Sequence, residues 1–523
     1  MAYDAIVVGA GHNGLASAIH LAAKGWKVGV FERNDVAGGA VQTREVTLPG
    51  FRHDLFAMNL SLFAGSPFVS VYGAALARHG LAFAPATDTF ATAFPDGSWC
   101  GVSADLATTA ARIDALSLED GRRWREMVAA FAGDASHIFG VLGSAMPSFA
   151  LAKVLYKAWR DRGLGWLLDT LRLAISSPRE YLDRNFQNEK LKAAIAAWGM
   201  HLDFSPDIAG GALFPYLEAM ANQSFGMVIG KGGADTMIRA MLGLLKELGG
   251  EVHLGAEVAR IDVVNGQATA IALVDGRSFA ASKAVVANVG PTLLFGRLLA
   301  NGCGKPDVDR RMRAFRYGPG TMTVHLAMDA LPDWSAGEAL KRFAYVHLAP
   351  DYATMGKAYA EALAGLLPVE PVLVVGQPTA IDPSRAPDGK HVLWIQVRAL
   401  PGQIKGDAAG AIAQGDWDEI RERYADRVVA ILERYAPGVS NRILSRAVFS
   451  PKDLERENPN LIGGDSIAGS HHLDQYFLLR PIAGWSRYRT PVEGLFMVGA
   501  GTWPGAGLGA GSGFLLGKML AGQ

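Results

Sequence analysis

Residues 3–39, YDAIVVGAGHNGLASAIHLAAKGWKVGVFERNDVAGG, predict how the first part of the chain folds. The stretch opens with an apolar run that is typical of a buried strand. Gly9, Gly11 and Gly14 follow in G-x-G-x-x-G spacing and lead into an amphipathic helix. A second apolar run then ends at Glu32. This order of strand, glycine turn, helix, strand and acid predicts a dinucleotide-binding βαβ unit.

Each residue type in this motif has a physical role. Gly9 allows the tight turn, Gly11 lets the backbone approach a pyrophosphate, and Gly14 lets the helix pack closely on the strand. The start of the helix presents unpaired N–H groups to the phosphates. Glu32 is placed to accept hydrogen bonds from ribose hydroxyls, and its charge would repel a 2′-phosphate, which argues against NADP.

A second glycine-rich stretch lies near the C-terminus, at residues 487–520: RYRTPVEGLFMVGAGTWPGAGLGAGSGFLLGKML. Residues 495–498 predict a strand, 499–509 a glycine-rich turn and 511–520 a helix. No acid is placed here for a ribose. The pattern suits the ribityl chain and pyrimidine end of a flavin, where a helix N-terminus would stabilise the negative charge that develops as the ring accepts hydride.

These stretches resemble a known family. With Arg33 and Gly38-Gly39, the first motif extends to E-R-x-x-x-x-G-G, as in the FAD-binding superfamily of amine oxidases and phytoene desaturases. The central GKGGADTMIRAM and the terminal YRTPVEGLFMVGAGTWPGAG resemble the phytoene desaturase family, and most closely its branch similar to pyridine nucleotide-disulfide oxidoreductase domain-containing protein 2. The resemblance implies a bound FAD that takes a hydride while a C–C or C–N bond becomes unsaturated, with oxygen or a quinone as electron acceptor.

The motifs and the resemblance together assign the cofactor site. In the family, the backbone of the residue at Val258 commonly holds the adenine. The residues predicted to bind FAD are Gly9, Gly11, His12, Asn13, Gly14, Glu32, Arg33, Gly38, Gly39, Ala40, Val258, Asn288, Gly499, Ala500, Gly507, Leu508 and Gly509.

The predicted fold class is α/β, with a Rossmann-type FAD domain built from discontinuous segments and a mixed α+β substrate domain. Segments 1–65, 228–295 and 460–523 form the predicted FAD-binding domain. Segments 66–227 and 296–459 form the predicted substrate-binding domain, in which 103–200 is a helical insertion that faces a membrane or a partner, or neither. No complete second βαβ unit for NADPH is evident.

Catalytic candidates come from the segment before the C-terminal motif. His471 and His472 are candidates for a base, because histidine titrates near neutral pH. Tyr488 and Arg480 are candidates for contacting a substrate oxygen or carboxylate. The branch often carries a histidine near the position of Ala468, and its P-G-x-G-x-x-G-A motif is one residue shorter here. This chain has His471 and His472 instead of a histidine at that position, and this shift predicts a different substrate or proton acceptor.

Composition excludes several classes of function. The 523 residues carry 50 basic and 50 acidic side chains, so no nucleic-acid footprint is expected. The two cysteines are far apart in sequence, so neither a disulfide framework nor a metal site is predicted. No apolar run reaches the roughly 18 residues that span a bilayer. With a strand beginning almost at the first residue, no signal peptide is expected, and the predicted location is the cytoplasm.

Residues 149–182 combine apolar and aromatic side chains with six basic ones. Two interpretations are open. A basic amphipathic helix can lie on an anionic membrane, as a peripheral contact. Alternatively, the helix packs on the core of the substrate domain and exposes a solvated basic face.

The predicted function is an FAD-dependent desaturase or dehydrogenase that acts on an apolar, alicyclic, polyene or carboxylic small molecule. A flavin-dependent cis–trans isomerase is one alternative, since it would not consume reduced FAD. A catalytically idle flavin-binding or scaffold protein is another, because a fold alone does not determine function.

Overall fold

The computed structural model describes residues 2–522. Its elements are numbered here in chain order. The strands are β1 (Ala2–Val8), β2 (Val28–Phe31), β3 (Thr43–Arg44), β4 (His53–Asp54), β5 (Phe83–Ala86), β6 (Asp88–Ala93), β7 (Trp99–Ser103), β8 (Met227–Gly230), β9 (Glu251–His253), β10 (Val258–Val264), β11 (Gln267–Leu273), β12 (Ser278–Ala287), β13 (Gly320–Met328), β14 (Tyr345–Leu348), β15 (Leu366–Leu367), β16 (Val372–Gly376), β17 (His391–Leu400), β18 (Gly406–Asp407), β19 (Ile443–Phe449) and β20 (Leu495–Met497).

The helices alternate with these strands, and short 3₁₀ turns connect many of them. They are α1 (His12–Ala23), α2 (Ser61–Ala64), α3 (Pro67–Arg78), α4 (Leu106–Asp114), α5 (Leu118–Leu142), α6 (Phe149–Ile175), α7 (Pro178–Asn185), α8 (Glu189–Ala196), α9 (Leu213–Phe225), α10 (Thr236–Glu247), α11 (Pro291–Leu293), α12 (Pro306–Arg313), α13 (Tyr352–Leu363), α14 (Trp417–Tyr435), α15 (Pro451–Glu457) and α16 (Gly511–Ala521).

A seven-stranded sheet carries the two glycine-rich motifs. Its order is β10-β11-β12-β1-β2-β9, and β20 pairs with the end of β12. Strands β20, β12, β1, β2 and β9 run parallel, whereas β10 and β11 form an antiparallel meander. Helices α1, α10 and α16 pack together on one face. The parallel strands therefore end along one common edge, where both glycine turns lie.

A second seven-stranded sheet has the order β19-β13-β17-β16-β14-β6-β7 and is antiparallel except between β14 and β6. Side chains alternate between its faces, as the two-residue period of a strand requires. In β17, Leu393, Ile395 and Val397 join the core shared with α14. The residues between them therefore face the other side, where Trp394 joins the core under the helical block.

The predicted division of the chain matches the membership of the two sheets. Every strand of the first sheet comes from segments 1–65, 228–295 and 460–523, and every strand of the second comes from 66–227 and 296–459. The fold is thus the predicted α/β arrangement with two sheets. The boundaries of the two domains stay predictions.

The helical block differs from the expected pattern in two ways. Three-to-four-residue apolar spacing at 124–131 and at 138–142 would suit two separate helices, but both stretches belong to one helix, α5. Helix α6 is broken at Gly163, whose φ of +83° is outside the helical region. No helix within residues 2–522 combines the length and hydropathy needed to cross a membrane.

A buried ion-pair cluster joins the second sheet's connections to the first domain. The Arg385 guanidinium is fully buried and contacts Asp54 Oδ2 at 2.7 Å and Asp382 Oδ2 at 3.3 Å. It also donates to the carbonyl of Gly230 at 2.7 Å, while Asp54 accepts from the Ala234 amide. One side chain therefore crosslinks three sequence-distant segments.

We predict that Arg385→Met destabilises the protein by about 3–5 kcal/mol, because it leaves two buried carboxylates without their cation. Urea denaturation followed by tryptophan fluorescence measures this loss. Arg310→Met is the control, since its ion pair with Asp307 is exposed and should contribute little. Equal unfolding midpoints for the two variants would contradict the prediction.

Candidate functional site

A large cavity lies along the carboxyl edge of the first sheet. It contains about 1250 Å³ of space that protein atoms do not fill. The ends of three parallel strands line it through Val8, Phe31 and Val498, together with Asn288 beyond β12. Ligands of open parallel sheets bind at this edge, outside the carboxyl ends of the strands. The position is therefore that of a cofactor cavity.

Asn288 and the glycines of the first motif form the floor of this cavity. Gly9 has a φ of +95°, which a side chain would strain. A Cβ on Gly11 would lie 3.0 Å from Asn288 Nδ2. A Cβ on Gly14 would overlap the carbonyl oxygen of Gly9 and lie 2.9 Å from the same Nδ2. The close contact between α1 and the sheet consequently depends on the missing side chains.

The start of α1 offers its backbone to the cavity. Gly11 is the N-cap residue, and no side chain within residues 2–522 caps the helix, so the first-turn N–H groups stay available to an anion. His12 lies between Asn13 Nδ2, at 2.9 Å, and the carbonyl of Gly507, at 3.3 Å. Burial lowers the pKa of His12 to about 4, so its ring is neutral at pH 7.

Glu32 lines the cavity at the end of β2. Its Oε2 accepts a hydrogen bond from the Ala10 amide at 2.8 Å, and its Oε1 accepts one from the Asn34 amide at 3.0 Å. An ionised carboxylate offers about four lone-pair sites, so two remain for ligand hydroxyls. Glu32 therefore also holds the glycine turn, a role that its sequence position did not indicate.

The C-terminal glycine loop forms the opposite wall. Gly499, Ala500, Gly507 and Leu508 line the cavity. The loop is anchored to α1 because the Gly499 amide donates to Ser512 Oγ at 2.9 Å, and that hydroxyl is in turn bonded to Asn13 Oδ1. The two glycine-rich motifs thus enclose one ligand space.

The structure brings together all but two of the residues predicted to bind the cofactor. Gly14 and Gly509 lie outside the lining, and Gly14 acts through helix packing. Other residues of the lining were not among those predicted from the sequence. These are Asn34, Glu257, Val289, Gly290, Leu293, Arg297, Leu298, Glu457, Asn458, Pro459, Asn460, Leu461, Ser466, Ile467, Ala468, Gly501 and Ala506, besides the strand ends.

A smaller and narrower cavity adjoins the first one, and Ile467 lines both. Its polar residues are Asp203, Thr321, Tyr359, Arg398 and Asp465, and Met200, Pro319 and Ala399 complete it. Sequence analysis identified none of these residues. They come from five separate segments, and no local motif marks any of them.

The catalytic candidates lie near these cavities but do not line them. His472 Nε2 is 2.9 Å from the backbone oxygen of Asp203 and 3.3 Å from its Oδ2. His471 is buried, and its Nε2 accepts a hydrogen bond from the Ala506 amide at 2.9 Å. Burial holds the pKa of His471 well below its ordinary value, so it serves as a neutral support for the glycine loop.

Two further candidates are corrected by the structure. Tyr488 is 1% exposed in the core beside the first sheet, and its hydroxyl has no partner within residues 2–522. Its side chain is too deep in that core to line either cavity. Arg480, a candidate either for contacting a substrate or for a structural ion pair, is fully buried and donates to the carbonyls of Gly469, Ser470 and Ala500.

With this geometry established, comparison with known proteins identifies the family. Residues 14–502 match the family described as Flavin containing amine oxidoreductase. The chain belongs to this family. Membership implies that the protein uses a flavin cofactor, and the uncapped helix, the glycine floor and Glu32 fit a dinucleotide form of it.

Curated relatives match nearly the whole length of the chain. "Pyridine nucleotide-disulfide oxidoreductase domain-containing protein 2" of Rattus norvegicus is 27% identical over 97% of this chain and 91% of its own. "Phytoene desaturase (neurosporene-forming)" of Rhodobacter capsulatus is 28% identical over 99% and 93%. A crystal structure of an oxidoreductase from Methanosarcina mazei superposes with a TM-score of 0.63 at 18% identity, over 98% of this chain and 99% of the other, which supports the fold.

We predict that Gly14→Ala lowers the flavin content of the purified protein and its thermal midpoint. The added methyl group must push α1 away from the sheet, and such overpacking costs about 1–3 kcal/mol. Gly165→Ala is the matched control, because a Cβ there meets nothing within 4 Å. Flavin absorbance per protein and a thermal melt measure both effects. Wild-type values for Gly14→Ala would refute the packing argument.

Proposed function

We propose that the chain binds FAD in the larger cavity and removes a hydride from an apolar or alicyclic small molecule to form a double bond, passing the electrons to oxygen or a quinone. The observation that carries this proposal is the enclosure of one cavity by both glycine motifs. Glu32 lies at one part of the cavity, and Ser466–Ala468 and Ala506–Leu508 lie at another.

The residues that line the cavity support FAD. A ribose held at Glu32 and a pyrophosphate held at Gly11 account for the nucleotide half of such a cofactor. The C-terminal loop then lines further space that an adenosine diphosphate moiety alone would not need. When bound, the flavin supplies the hydride chemistry, and the protein supplies position and electrostatics.

The residues around the cavity are suited to hold this cofactor. The first-turn amides of α1 neutralise phosphate charge, and neutral His12 adds no cation to that place. Arg297 pairs with Glu257 at 2.6 Å beside Val258, which places a fixed ion pair next to the predicted adenine position. Cys100 and Cys303 are both buried as free thiols, so neither is placed to act as a surface electron relay.

The visible spectrum of the purified protein tests the proposal. FAD released by heat and identified by chromatography is the expected result, followed by anaerobic bleaching of the flavin with a substrate. A colourless protein that also fails to take up added FAD would overturn it. Product isomerisation with no consumption of an electron acceptor would favour a cis–trans isomerase, and a flavin that no metabolite reduces would favour an idle flavin-binding protein.

We predict that Glu32→Ala weakens FAD retention by about tenfold or more, because charged hydrogen bonds of this kind contribute about 1.5–3 kcal/mol. The ratio of FAD to protein after dialysis measures the loss. Glu251→Gln is the control: it removes a carboxylate from the adjacent strand β9, outside the cavity. Full occupancy of Glu32→Ala would argue against this ribose site.

Helix α6 supports a second part of the proposal, a peripheral contact with an anionic membrane. Of its 27 residues, only Ala158 and Leu173 are buried. Trp166 of α6 packs against the core under the helical block, so a packed helix with a solvated basic face stays the alternative interpretation. Its exposed apolar side chains, which we name the α6 surface, are Phe149, Leu155, Tyr156, Trp159, Leu164, Leu168, Leu171 and Ile175.

The charge of α6 favours a lipid surface as the occupant. The helix carries five basic and two acidic residues in a chain whose net charge is zero. Lys153, Lys157 and Arg172 form no ion pair within residues 2–522, so they are available to anionic headgroups. Lysine and arginine on such helices extend to the headgroups while aromatic and leucine side chains enter the acyl boundary.

We predict that the protein sediments with vesicles that contain phosphatidylglycerol and that high salt releases it. The triple variant Trp159→Ala, Leu164→Ala, Leu168→Ala should bind at least about tenfold more weakly, because apolar burial drives insertion. Leu118→Ala, Leu363→Ala, Leu444→Ala is the matched control, since these exposed residues lie elsewhere. Equal binding of the two triple variants would refute the α6 surface. If the wild-type protein dimerised and the α6 triple variant did not, while vesicle binding stayed unchanged, the α6 surface would be assigned to self-association.

A further inference from the structure

The smaller cavity contains a buried guanidinium with unused hydrogen-bonding capacity. Arg398 is 5% exposed and lies on β17, on the face opposite the core shared with α14. Its five N–H groups meet four acceptors: Met200 O at 3.1 Å, Thr321 Oγ1 at 3.3 Å, Ser466 Oγ at 2.9 Å and His201 O at 2.5 Å. One N–H on Nη2 has no partner within residues 2–522.

The two other buried arginines, Arg385 and Arg480, are bonded differently from Arg398. Arg385 forms ion pairs with Asp54 and Asp382. Arg480 is satisfied by backbone carbonyls and lies over the ring of Phe315. Arg398 has no carboxylate oxygen within 4.0 Å in the described part of the chain, yet it borders open space. A buried cation of this kind costs stability unless a ligand or a nearby charge compensates it.

Two carboxyl groups share the cavity with Arg398 without touching it. Asp465 is committed to the fold, since it accepts from the backbone amides of Gly318, Ile467 and Gly469. Asp203 is held by side chains instead: Tyr359 donates to its Oδ1 at 2.7 Å, and His472 Nε2 lies 3.3 Å from its Oδ2. Asp203 is therefore the carboxylate placed for chemistry rather than for support.

We propose that this cavity holds the oxygen of a neutral carbonyl group on the substrate, which accepts a hydrogen bond from Arg398 Nη2, while Asp203 removes the proton from the adjacent carbon. This inference rests on the proposed function and names its substrate class as a ketone or a similar carbonyl compound. His472 and Tyr359 are positioning residues, because each acts through Asp203. Tyr359 donates to its Oδ1, and His472 Nε2 lies 3.3 Å from its Oδ2.

The bond changes balance in this assignment. The Cα–H bond breaks and its proton goes to the Asp203 carboxylate. The electron pair would form the Cα=Cβ double bond, and a bound flavin would supply the two-electron oxidation by taking the hydride from Cβ. Oxygen or a quinone later removes the two electrons. Arg398 stabilises the negative charge that develops on the carbonyl oxygen, the kind of preorganised electrostatic effect that contributes strongly to catalysis.

Two features of the cavity favour a neutral carbonyl over a carboxylate. The cavity already holds two carboxyl groups, Asp203 and Asp465, so a third would be repelled when they are ionised, whereas a neutral carbonyl oxygen needs only the free N–H donor. Desolvation also raises the pKa of Asp203, the direction that suits a general base working near neutral pH. His472 and Arg398 oppose that shift.

Ligand-observed NMR with cyclohexanone and cyclohexanecarboxylate tests the binding half. The holoprotein should bind cyclohexanone and exclude the carboxylate, and Arg398→Lys should weaken cyclohexanone binding at least about tenfold, because lysine cannot reproduce the planar donor geometry. Arg385→Lys is the matched buried control and should leave binding unchanged. Equal binding of both probes, or no effect of Arg398→Lys, would overturn the proposal.

Proton exchange tests the role of Asp203 without any oxidation. In D₂O the protein should accelerate deuterium incorporation beside the carbonyl of cyclohexanone, and Asp203→Asn should return the rate to that of buffer while retaining cyclohexanone binding. Exchange by Asp203→Asn at the wild-type rate would refute the assignment. Both assays are independent of turnover, and flavin content is read separately from the spectrum, so failure here is distinguishable from failure of the proposed function.

The positioning role of Tyr359 has its own readout. The groups that face Asp203 are Tyr359, His472, Ser470, Arg398 and Asp465. The Tyr359 hydroxyl stabilises the ionised form of Asp203, so Tyr359→Phe should raise the pH midpoint of proton exchange and leave its maximum rate within about twofold. A lower maximum rate with an unchanged midpoint would mean that Tyr359 is merely structural.

Discussion

The contact between α1 and the first sheet is the constraint on which the rest of the site depends. No side chain fits between Gly14 and the carbonyl of Gly9, and Asn288 occupies the remaining space. This contact sets where the first turn of α1 ends and therefore where its free amides point. The C-terminal loop is then built against the same helix through Asn13 and Ser512. The positions of both walls of the large cavity therefore depend on the short distance between α1 and the first sheet.

Buried polar side chains transmit this geometry to the second cavity. Arg480 bonds to the carbonyl of Ala500, in the cofactor wall, and to those of Gly469 and Ser470, in the loop beside Asp465. His471 bonds to the Ala506 amide from the same loop. Because burial lowers the pKa of both groups, Arg480 to about 10 and His471 well below its ordinary value, neither changes charge near pH 7. The hydrogen bonds of Arg480 and His471 that connect the two cavities therefore do not depend on pH near neutrality.

The sequence was informative where function is encoded locally. The βαβ unit and the C-terminal glycine turn each lie within about 40 contiguous residues, so spacing alone located the helix start, Glu32 and the loop at Gly507. The polar cavity could not be found in this way. Asp203 follows the 3₁₀ turn Ala197–Leu202 whereas Arg398 lies on β17, so only the tertiary fold brings them together. Periodicity cannot indicate which residue of a buried strand borders open space. His471 and His472 were noticed as titratable residues, but only the structure distinguishes a loop support from a partner of Asp203.

The electrostatics of the two cavities differ, and the difference bears on specificity. The cofactor cavity presents backbone amides and a neutral imidazole, which suit a phosphate-bearing ligand that supplies its own charge. The smaller cavity presents a guanidinium and two carboxyl groups that leave one donor unpaired. A site built to hydrogen-bond a substrate oxygen rejects analogues that lack it, because its buried polar groups are then left unsatisfied. A pure hydrocarbon would leave Arg398 Nη2 without a partner in this cavity, whereas a carbonyl compound would complete its five hydrogen bonds. By this argument, the buried arginine selects for an oxygen on the proposed substrate.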